Sequence, residues 1–253
     1  MLTEQRHEII LNLLSEKGSI TVTELKDILN TSESTIRRDI ITLDKEGRLT
    51  KVFGGAIALH PAQIVNKELS MVQKQELQTT EKQAIARYAA SLIEPDDCVY
   101  LDAGTTTGWM IEYIRQEKAT YITNALSHAK RLADKGFSVI LIGGEPKSST
   151  DAIVGGEAVL NLQKYHFSKG FFGVNGVDRL SGFTTPDVKE AVVKQAAVKN
   201  TQPAHRYFLT TSSKFGEVYA VTFAGFEGGT ILTEDNVSEV LPKSIEIINV
   251  TQQ

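Results

Sequence analysis

Residues 31–47 read TSESTIRRDIITLDKEG, and the spacing of their apolar positions decides how the N-terminal part of the chain folds. Ile36, Ile40 and Leu43 stand at i, i+4 and i+7, which puts them on one side of a helix that must be packed. Ser32 is a suitable N-cap and Gly47 a suitable stop, which bounds the helix at about four turns. Ser34, Thr35, Arg37 and Arg38 then point away from the apolar stripe and need water or a partner.

Two shorter patterns lead into this helix. TEQRHEIILNLLSEKG sets Ile9, Ile10, Leu13 and Leu14 on a helical face and ends at Gly18. In SITVTELKDILN, Thr21 and Glu24 have the spacing of a capping box, and Val22, Leu25, Ile28 and Leu29 form a second apolar face ending at Asn30. Only Asn30 and Thr31 then separate this helix from Ser32, the spacing of a helix-turn-helix. RLTKVFGGAIAL is strand-like on both sides of Gly54–Gly55, as the wing of a winged helix is. The whole chain carries a net charge of −4. Between Ser34 and Val52, however, Arg37, Arg38, Lys45, Arg48 and Lys51 face only Asp39, Asp44 and Glu46, a local excess of two positive charges.

A chain of 253 residues with 41% hydrophobic and 23% charged residues is globular and long enough for two ordinary domains. Charge begins at the fourth residue, and no apolar run approaches the ~18 residues of a membrane span, so a cytoplasmic protein without membrane contact is expected. The single cysteine, Cys98, cannot form an intramolecular disulfide or a multi-cysteine metal site, and its setting in CVYLD suits a small core residue. His7, His60, His128, His166 and His205 lack ligand spacing, and Ser212 and Ser213 lack an elbow motif or an assignable base. No metal, cofactor or catalytic nucleophile is therefore expected.

Residues 58–79 are polar, contain Pro61 and lack a sustained apolar period, which reads as a linker. A helix is predicted from Thr80, with Gln83 at capping-box spacing and Ile85, Ala89, Leu92 and Ile93 on one face, ending before Pro95. Beyond it, CVYLD, ATYIT, SVILIGG, KGFFGV, RYFLTT and TILT are short apolar runs, several followed by Gly, Thr or Asn and then a helical segment. The pattern predicts an α/β domain with a largely parallel sheet and ligands at the C-terminal strand ends.

Those strand ends hold the residues with chemistry. In LDAGTTTGWMIEYI the strand stops at Asp102, Gly104 permits a tight turn, and Thr105, Thr106 and Thr107 open a helix. Free N–H groups there favour a phosphate, although a threonine-rich turn also serves as a plain N-cap. Thr123 and Asn124 follow one strand, and Asn175 and Gly176 follow another. A helix beginning at Pro186 presents Glu190 and Lys194, spaced either for a ligand or for an i, i+4 surface ion pair. Lys214, past a further strand end, could serve a phosphate or a sugar hydroxyl.

SESTIRRD and FGGA make residues 1–57 resemble the N-terminal domain of the DeoR family of bacterial transcriptional regulators. DAGTTT, TN, GVNG, TTPDVKEAVVK and SSKFG occur in the order of that family's C-terminal sensor domain, which is similar in fold to ribose-5-phosphate isomerase. The resemblance implies a winged helix-turn-helix at 1–57, a linker at 58–79 and an isomerase-like α/β sensor domain at 80–253. It directs Ser32, Ser34, Thr35, Arg37, Arg38 and Lys51 toward operator DNA. It also implies that Asp102, Gly104, Thr105, Thr106 and Thr107 hold the phosphate of a sugar effector surrounded by Asn175, Glu190, Lys194 and Lys214. Thr123, Asn124 and Gly176 join these as effector-binding candidates at neighbouring strand ends. Thr211 is a departure, because the family usually has an Asp before S-S-K.

The stretch TDAIVGGEAVLNLQKYHF and the TTPDVKEAVVKQA helix make the chain look most like the fructose-operon branch, which makes fructose 1-phosphate the first ligand to try. A homo-dimer or homo-tetramer is expected, because one winged helix buries too little surface for specific affinity. The alternative is an isomerase-like enzyme with an appended DNA- or protein-binding domain. Isomerisation needs a carboxylate base, for which Glu190 is available, but Asn175 stands where the isomerase pattern has an acid. An amide holds a hydroxyl without shuttling its proton, so a retained site without the chemistry is the better reading.

Overall fold

The computed structural model describes residues 2–58, 63–64, 77–237, 241–242 and 245–252. The chain divides into two compact units, Met1–Ala62 and Gln63–Gln253. Most of the expected linker, 58–79, lies outside the described residues; within it, Gln63–Ile64 forms a strand.

In the first unit, α1 (Thr3–Lys17), α2 (Val22–Leu29) and α3 (Glu33–Lys45) surround a core of Ile10, Leu14, Leu25, Leu29, Ile36, Ile40 and Leu43. Thr21 and Glu24 form the expected capping box: the Thr21 hydroxyl accepts from the Glu24 N–H at 3.1 Å, and the Glu24 carboxylate accepts from the Thr21 N–H at 2.8 Å. Asn30 adopts the left-handed conformation that ends α2, and the Ser32 hydroxyl caps α3 by accepting from the Thr35 N–H at 3.2 Å. Ile28, expected on the packed face of α2, is instead 49% exposed. The wing is a hairpin of β2 (Thr50–Val52) and β3 (Gly55–Ile57), and β3 also pairs with an unforeseen β1 (Ser19–Thr21). Only glycine fits at 55, because a Cβ there would sit 2.3 Å from the Ile20 carbonyl oxygen.

The second unit begins with the short strand β4 (Gln63–Ile64), followed by α4 (Thr79–Ser91), β5 (Cys98–Leu101), α5 (Thr105–Tyr113), β6 (Thr120–Thr123), α6 (Leu126–Asp134) and β7 (Ser138–Leu141). Next come β8 (Glu145–Lys147), β9 (Ala152–Val154), α7 (Gly156–Leu162), β10 (Lys169–Gly173), β11 (Gly176–Asp178), β12 (Gly182–Thr185) and α8 (Val188–Lys199). The unit closes with β13 (Arg206–Leu209), β14 (Glu217–Val218), β15 (Val221–Ala224), β16 (Thr230–Thr233) and β17 (Glu246–Asn249). The helix expected from Thr80 starts at Thr79 after Gln78 in the left-handed conformation, without a side-chain cap, so the capping box read at Thr80–Gln83 is not formed.

Seven strands make one parallel sheet in the order β17-β16-β13-β10-β5-β6-β7. Alternate residues feed two cores on its opposite faces: Val99, Leu101, Tyr121, Phe171, Leu209 and Leu232 pack in one, and Tyr100, Ile122, Phe172, Phe208 and Ile231 in the other. Both faces are covered over the central strands, which explains why those strands read as apolar runs rather than alternating ones, whereas the edge strand β7 leaves Ile140 and Leu141 each 38% exposed. The β10 strand lies on one side of β5 and β6 on the other, so chain order reverses at β5. That reversal opens a crevice beyond the carboxyl ends of β5 and β10. At the amino ends, buried Lys169 donates to Asp97 at 2.7 Å and to Glu94 at 2.6 Å.

Candidate functional site

The helix α3 presents its polar residues as the apolar period requires. Ile36 and Leu43 are fully buried and Ile40 is 2% exposed, whereas Ser32, Ser34, Arg37, Arg38 and Lys51 are exposed and Thr35 is half-buried. The Ser32 hydroxyl also shares hydrogen bonds with the hydroxyls of Ser34 at 2.8 Å and Thr35 at 2.9 Å, so the three form one cluster at the start of the helix. Arg37 lies 3.5 Å from Glu33, an exposed i, i+4 pair of little energetic weight. The Lys51 N–H donates to the Asp44 carboxylate at 2.9 Å, tying the wing to α3.

Asp39, the last residue of STIRRD, does not join this surface. It is buried, and its carboxylate accepts two hydrogen bonds from Arg6, at 2.8 and 3.0 Å, with the His7 ring 3.2 Å away. The motif therefore contains outward arginines and an inward clamp that holds α1 to α3. With Asp39 neutralised inside, the exposed charge of α3 and the wing is more positive than the linear count.

In the second unit, a cavity at the sheet's reversal point is lined by Asp102, Ala103, Gly104, Thr105, Thr106, Asn124, Thr150, Ala152, Gly173, Val174, Asn175, Glu190, Lys194 and Lys214. The end of β5 supplies Asp102, the start of α5 supplies Thr105 and Thr106, the end of β6 supplies Asn124, and the segment after β10 supplies Asn175. The helix α8 contributes Glu190 and Lys194. It begins at Val188 after an Asp187 cap that accepts from the Glu190 N–H at 2.9 Å, rather than at Pro186 as its sequence suggested.

Asp102 organises the cavity floor. One carboxylate oxygen accepts from the Gly104 N–H at 2.9 Å and the Thr107 hydroxyl at 2.8 Å; the other accepts from the Gly173 N–H at 2.7 Å and from Lys194. Lys194 also donates to the Gly173 carbonyl at 2.9 Å and lies 5.4 Å from the centre of the Phe223 ring. A Cβ at residue 104 would fall 2.9 Å from Asp102 Oδ1, so glycine permits this closure. The first turn of α5 leaves the N–H groups of Thr105, Thr106 and Thr107 without helical partners beside the cavity.

The i, i+4 pair considered for Glu190 and Lys194 does not form. Glu190 instead accepts from Lys147 at 2.9 Å and from the Thr150 hydroxyl at 2.5 Å, both from the β8–β9 hairpin. The Thr185 hydroxyl donates to the Asn175 side-chain carbonyl at 3.2 Å, and Lys214 donates to the Val174 carbonyl. Asn124 accepts from the Tyr100 hydroxyl at 3.0 Å and donates to the Ile153 carbonyl at 3.2 Å.

Three expected residues do not line the cavity. The Thr107 hydroxyl turns inward to Asp102 and the Gly104 carbonyl, Thr123 caps the Ala125 N–H at 3.1 Å, and Gly176 lies in β11 against the Glu217 carbonyl. Thr150, Ala152, Ala103, Gly173 and Val174 line it without having been singled out. The hairpin residues Thr150 and Ala152 carry no local motif, since only the fold brings them to Glu190.

Thr211 is buried, donating to Gln78 at 2.7 Å, and does not line the cavity. The nearby Ser212 N–H finds a carboxylate from another strand end, donating to Glu234 at 2.9 Å. No group of three or more His, Cys, Asp or Glu among the described residues could hold a metal ion, and no helix among them is long and apolar enough to cross a membrane.

Comparison with known proteins covers both units. Residues 6–62 match the DeoR-like helix-turn-helix domain, and residues 77–236 match the DeoR C terminal sensor domain. The uncharacterized HTH-type transcriptional regulator FruR of Bacillus subtilis (strain 168) is 43% identical over 236 residues, spanning 93% of this chain and 92% of that protein. A lactose phosphotransferase system repressor of Staphylococcus aureus (strain N315) is 36% identical over 249 residues, 97% of each chain. Among solved structures, ribose 5-phosphate isomerase A from Methanocaldococcus jannaschii is a remote likeness, with 13% identity and a TM-score of 0.38 over 53% of each chain. With both of its units matched and relatives aligned along nearly its whole length, the chain belongs to the DeoR family of transcriptional regulators.

Proposed function

We propose that this regulator represses a sugar-utilisation operon and that a phosphorylated sugar, bound in the second unit, sets its affinity for operator DNA. The DNA-reading residues are Arg37 and Arg38 on α3, with Ser32, Ser34, Thr35 and Lys51 around them. The phosphate lies at the first turn of α5 near Lys214, and the sugar hydroxyls meet Asn175, Glu190 and Lys194. Asp102 serves this site indirectly: its oxygens are occupied by Gly104, Thr107, Gly173 and Lys194, so it shapes the loop rather than touching the anion.

The observation that carries the reading is the convergence, in one crevice, of unpartnered helix N–H groups, a lysine and a set of carboxylate and amide groups. A phosphate needs the first, and a polyol needs the last. The names of the relatives support a sugar operon as the target. A homo-dimer or homo-tetramer acting in the cytoplasm completes the proposal, since paired half-sites double the DNA contact.

The test is a thermal-shift screen of the full-length protein against fructose 1-phosphate, other hexose and pentose phosphates, the neutral sugars and inorganic phosphate. A ligand at a hundred times its Kd stabilises the folded protein by about 2.7 kcal/mol. A sugar phosphate is expected to raise the melting temperature where its unphosphorylated counterpart does not. Stabilisation by neutral sugars alone, or by none of the compounds, overturns the effector assignment. Turnover of any sugar phosphate would instead favour the isomerase-like alternative.

A further inference from the structure

The wing carries a side chain that the fold leaves without a packing role. Phe53 is fully exposed, whereas the next most exposed large apolar residues among the described residues of this unit are Leu2 at 70% and Ile28 at 49%. Its platform is fixed. The Gly54 carbonyl accepts from the Val22 N–H at 2.8 Å, Gly55 is wedged against Ile20, and Lys51 is tied to Asp44 of α3. Gly54 has positive φ and open space around it, so the turn beyond Phe53 carries no side chain at all. The result is a thin, rigid tip from which one aromatic ring projects just past β2, two positions along the chain from the exposed Lys51.

We propose that Phe53 is an apolar wedge that the wing inserts from the minor groove between two base pairs of the operator. Charge and shape favour DNA as the occupant: the nearby Lys51 suits a phosphate, and a tip of glycines fits a groove about 6 Å wide. An apolar ring inserted there unstacks a base step and bends the duplex, which adds specificity through the deformability of that step. The proposal rests on the DNA-reading assignment of this unit but invokes a different residue and a different readout from α3.

The experiment uses the full-length protein and a duplex that it enriches from a random-sequence pool, labelled at its ends for energy transfer and carrying 2-aminopurine at successive steps. Phe53→Ala is expected to weaken binding about ten- to a hundredfold, consistent with losing one buried aromatic side chain. It should also abolish the rise in 2-aminopurine emission at one step and straighten the duplex. Phe53→Trp, with a larger ring, should retain all three. Wild-type affinity and unchanged emission for Phe53→Ala overturn the proposal. So does a lower melting temperature or a changed oligomer size, because Phe53 would then be packing against protein. Arg38→Ala separates the layers of the argument. If it weakens binding while Phe53→Ala does not, the wedge alone fails; if neither does, the DNA-reading assignment fails with it.

Discussion

Asp39 and Arg38 are neighbours with opposite assignments, one buried against α1 and one exposed. Replacing Asp39 with Asn keeps its shape but removes the buried carboxylate that accepts two hydrogen bonds from Arg6. We expect Asp39→Asn to cost roughly 2 kcal/mol, between an exposed pair and a fully buried one, measured by urea unfolding. Arg38→Ala should leave that stability unchanged. His128 offers a second test at this scale. It is 2% exposed, its Nδ1 has no hydrogen-bond partner among the described residues, and burial pushes its pKa down from 6.5 to about 4. Because the folded value lies below the unfolded one, the unfolded chain takes up a proton first as pH falls. The stability tied to neutral His128 is fully present above pH 6.5, shrinks as pH falls toward 4, and is gone below that. Between pH 7.5 and pH 5 this amounts to about 2 kcal/mol. His128→Gln should flatten the pH dependence of unfolding by that amount, and an unaltered slope would show that His128 does not carry it.

At the scale of elements, the first turn of α5 is the piece whose removal should be felt by the ligand alone. Thr106 is buried at 3% exposure, whereas Thr105 is half-buried at the cavity wall, so a carboxylate at 105 reaches the cavity without being forced into the core. Thr105→Glu sets a negative charge and added bulk where the phosphate is proposed to lie. Calorimetry with the best sugar phosphate from the screen should show at least a tenfold weaker Kd, with operator binding in the absence of ligand unchanged. Retained affinity would move the phosphate toward Lys214. The hairpin β8–β9 belongs to the same scale, because Lys147 and Thr150 hold Glu190 and so determine which of its lone pairs remain for a ligand.

For the whole molecule, a regulator whose DNA affinity responds to a sugar phosphate must show the reverse response with equal size. The coupling is a single free energy, typically about 1–3 kcal/mol, so the factor by which ligand changes operator Kd is the factor by which operator changes ligand Kd. Two titrations on the full-length protein, each repeated with the other partner saturating, measure both factors. Agreement is expected for the wild type, and for Thr105→Glu both factors should fall to one. Unequal factors would mean that the two titrations follow different assemblies.

How much of this was legible beforehand depended on whether the signal was local. Helix faces, caps and the helix-turn-helix spacing were readable because a 3.6-residue period and a capping box involve residues four or fewer apart, as Ile36, Ile40 and the Thr21–Glu24 pair show. Six of the seven strands of the parallel sheet stood out as apolar runs; for the central ones this follows because strands covered on both faces must be apolar throughout, whereas the edge strand β7 is apolar but largely exposed. Glu246–Asn249 at the sheet edge did not, because EIIN is short and begins with a charge. The sequence alone thus determined the helix-turn-helix, most strands of the parallel sheet, the family and most of the residues that meet in the crevice. Tertiary structure decided their partners. Asp39 reaches Arg6 across 33 positions, Glu190 reaches Lys147 across 43, and Lys194 reaches Asp102 across 92. No pattern within a helix or strand encodes such pairs, because a buried charge is satisfied by whichever group the packing of distant elements brings within hydrogen-bonding distance.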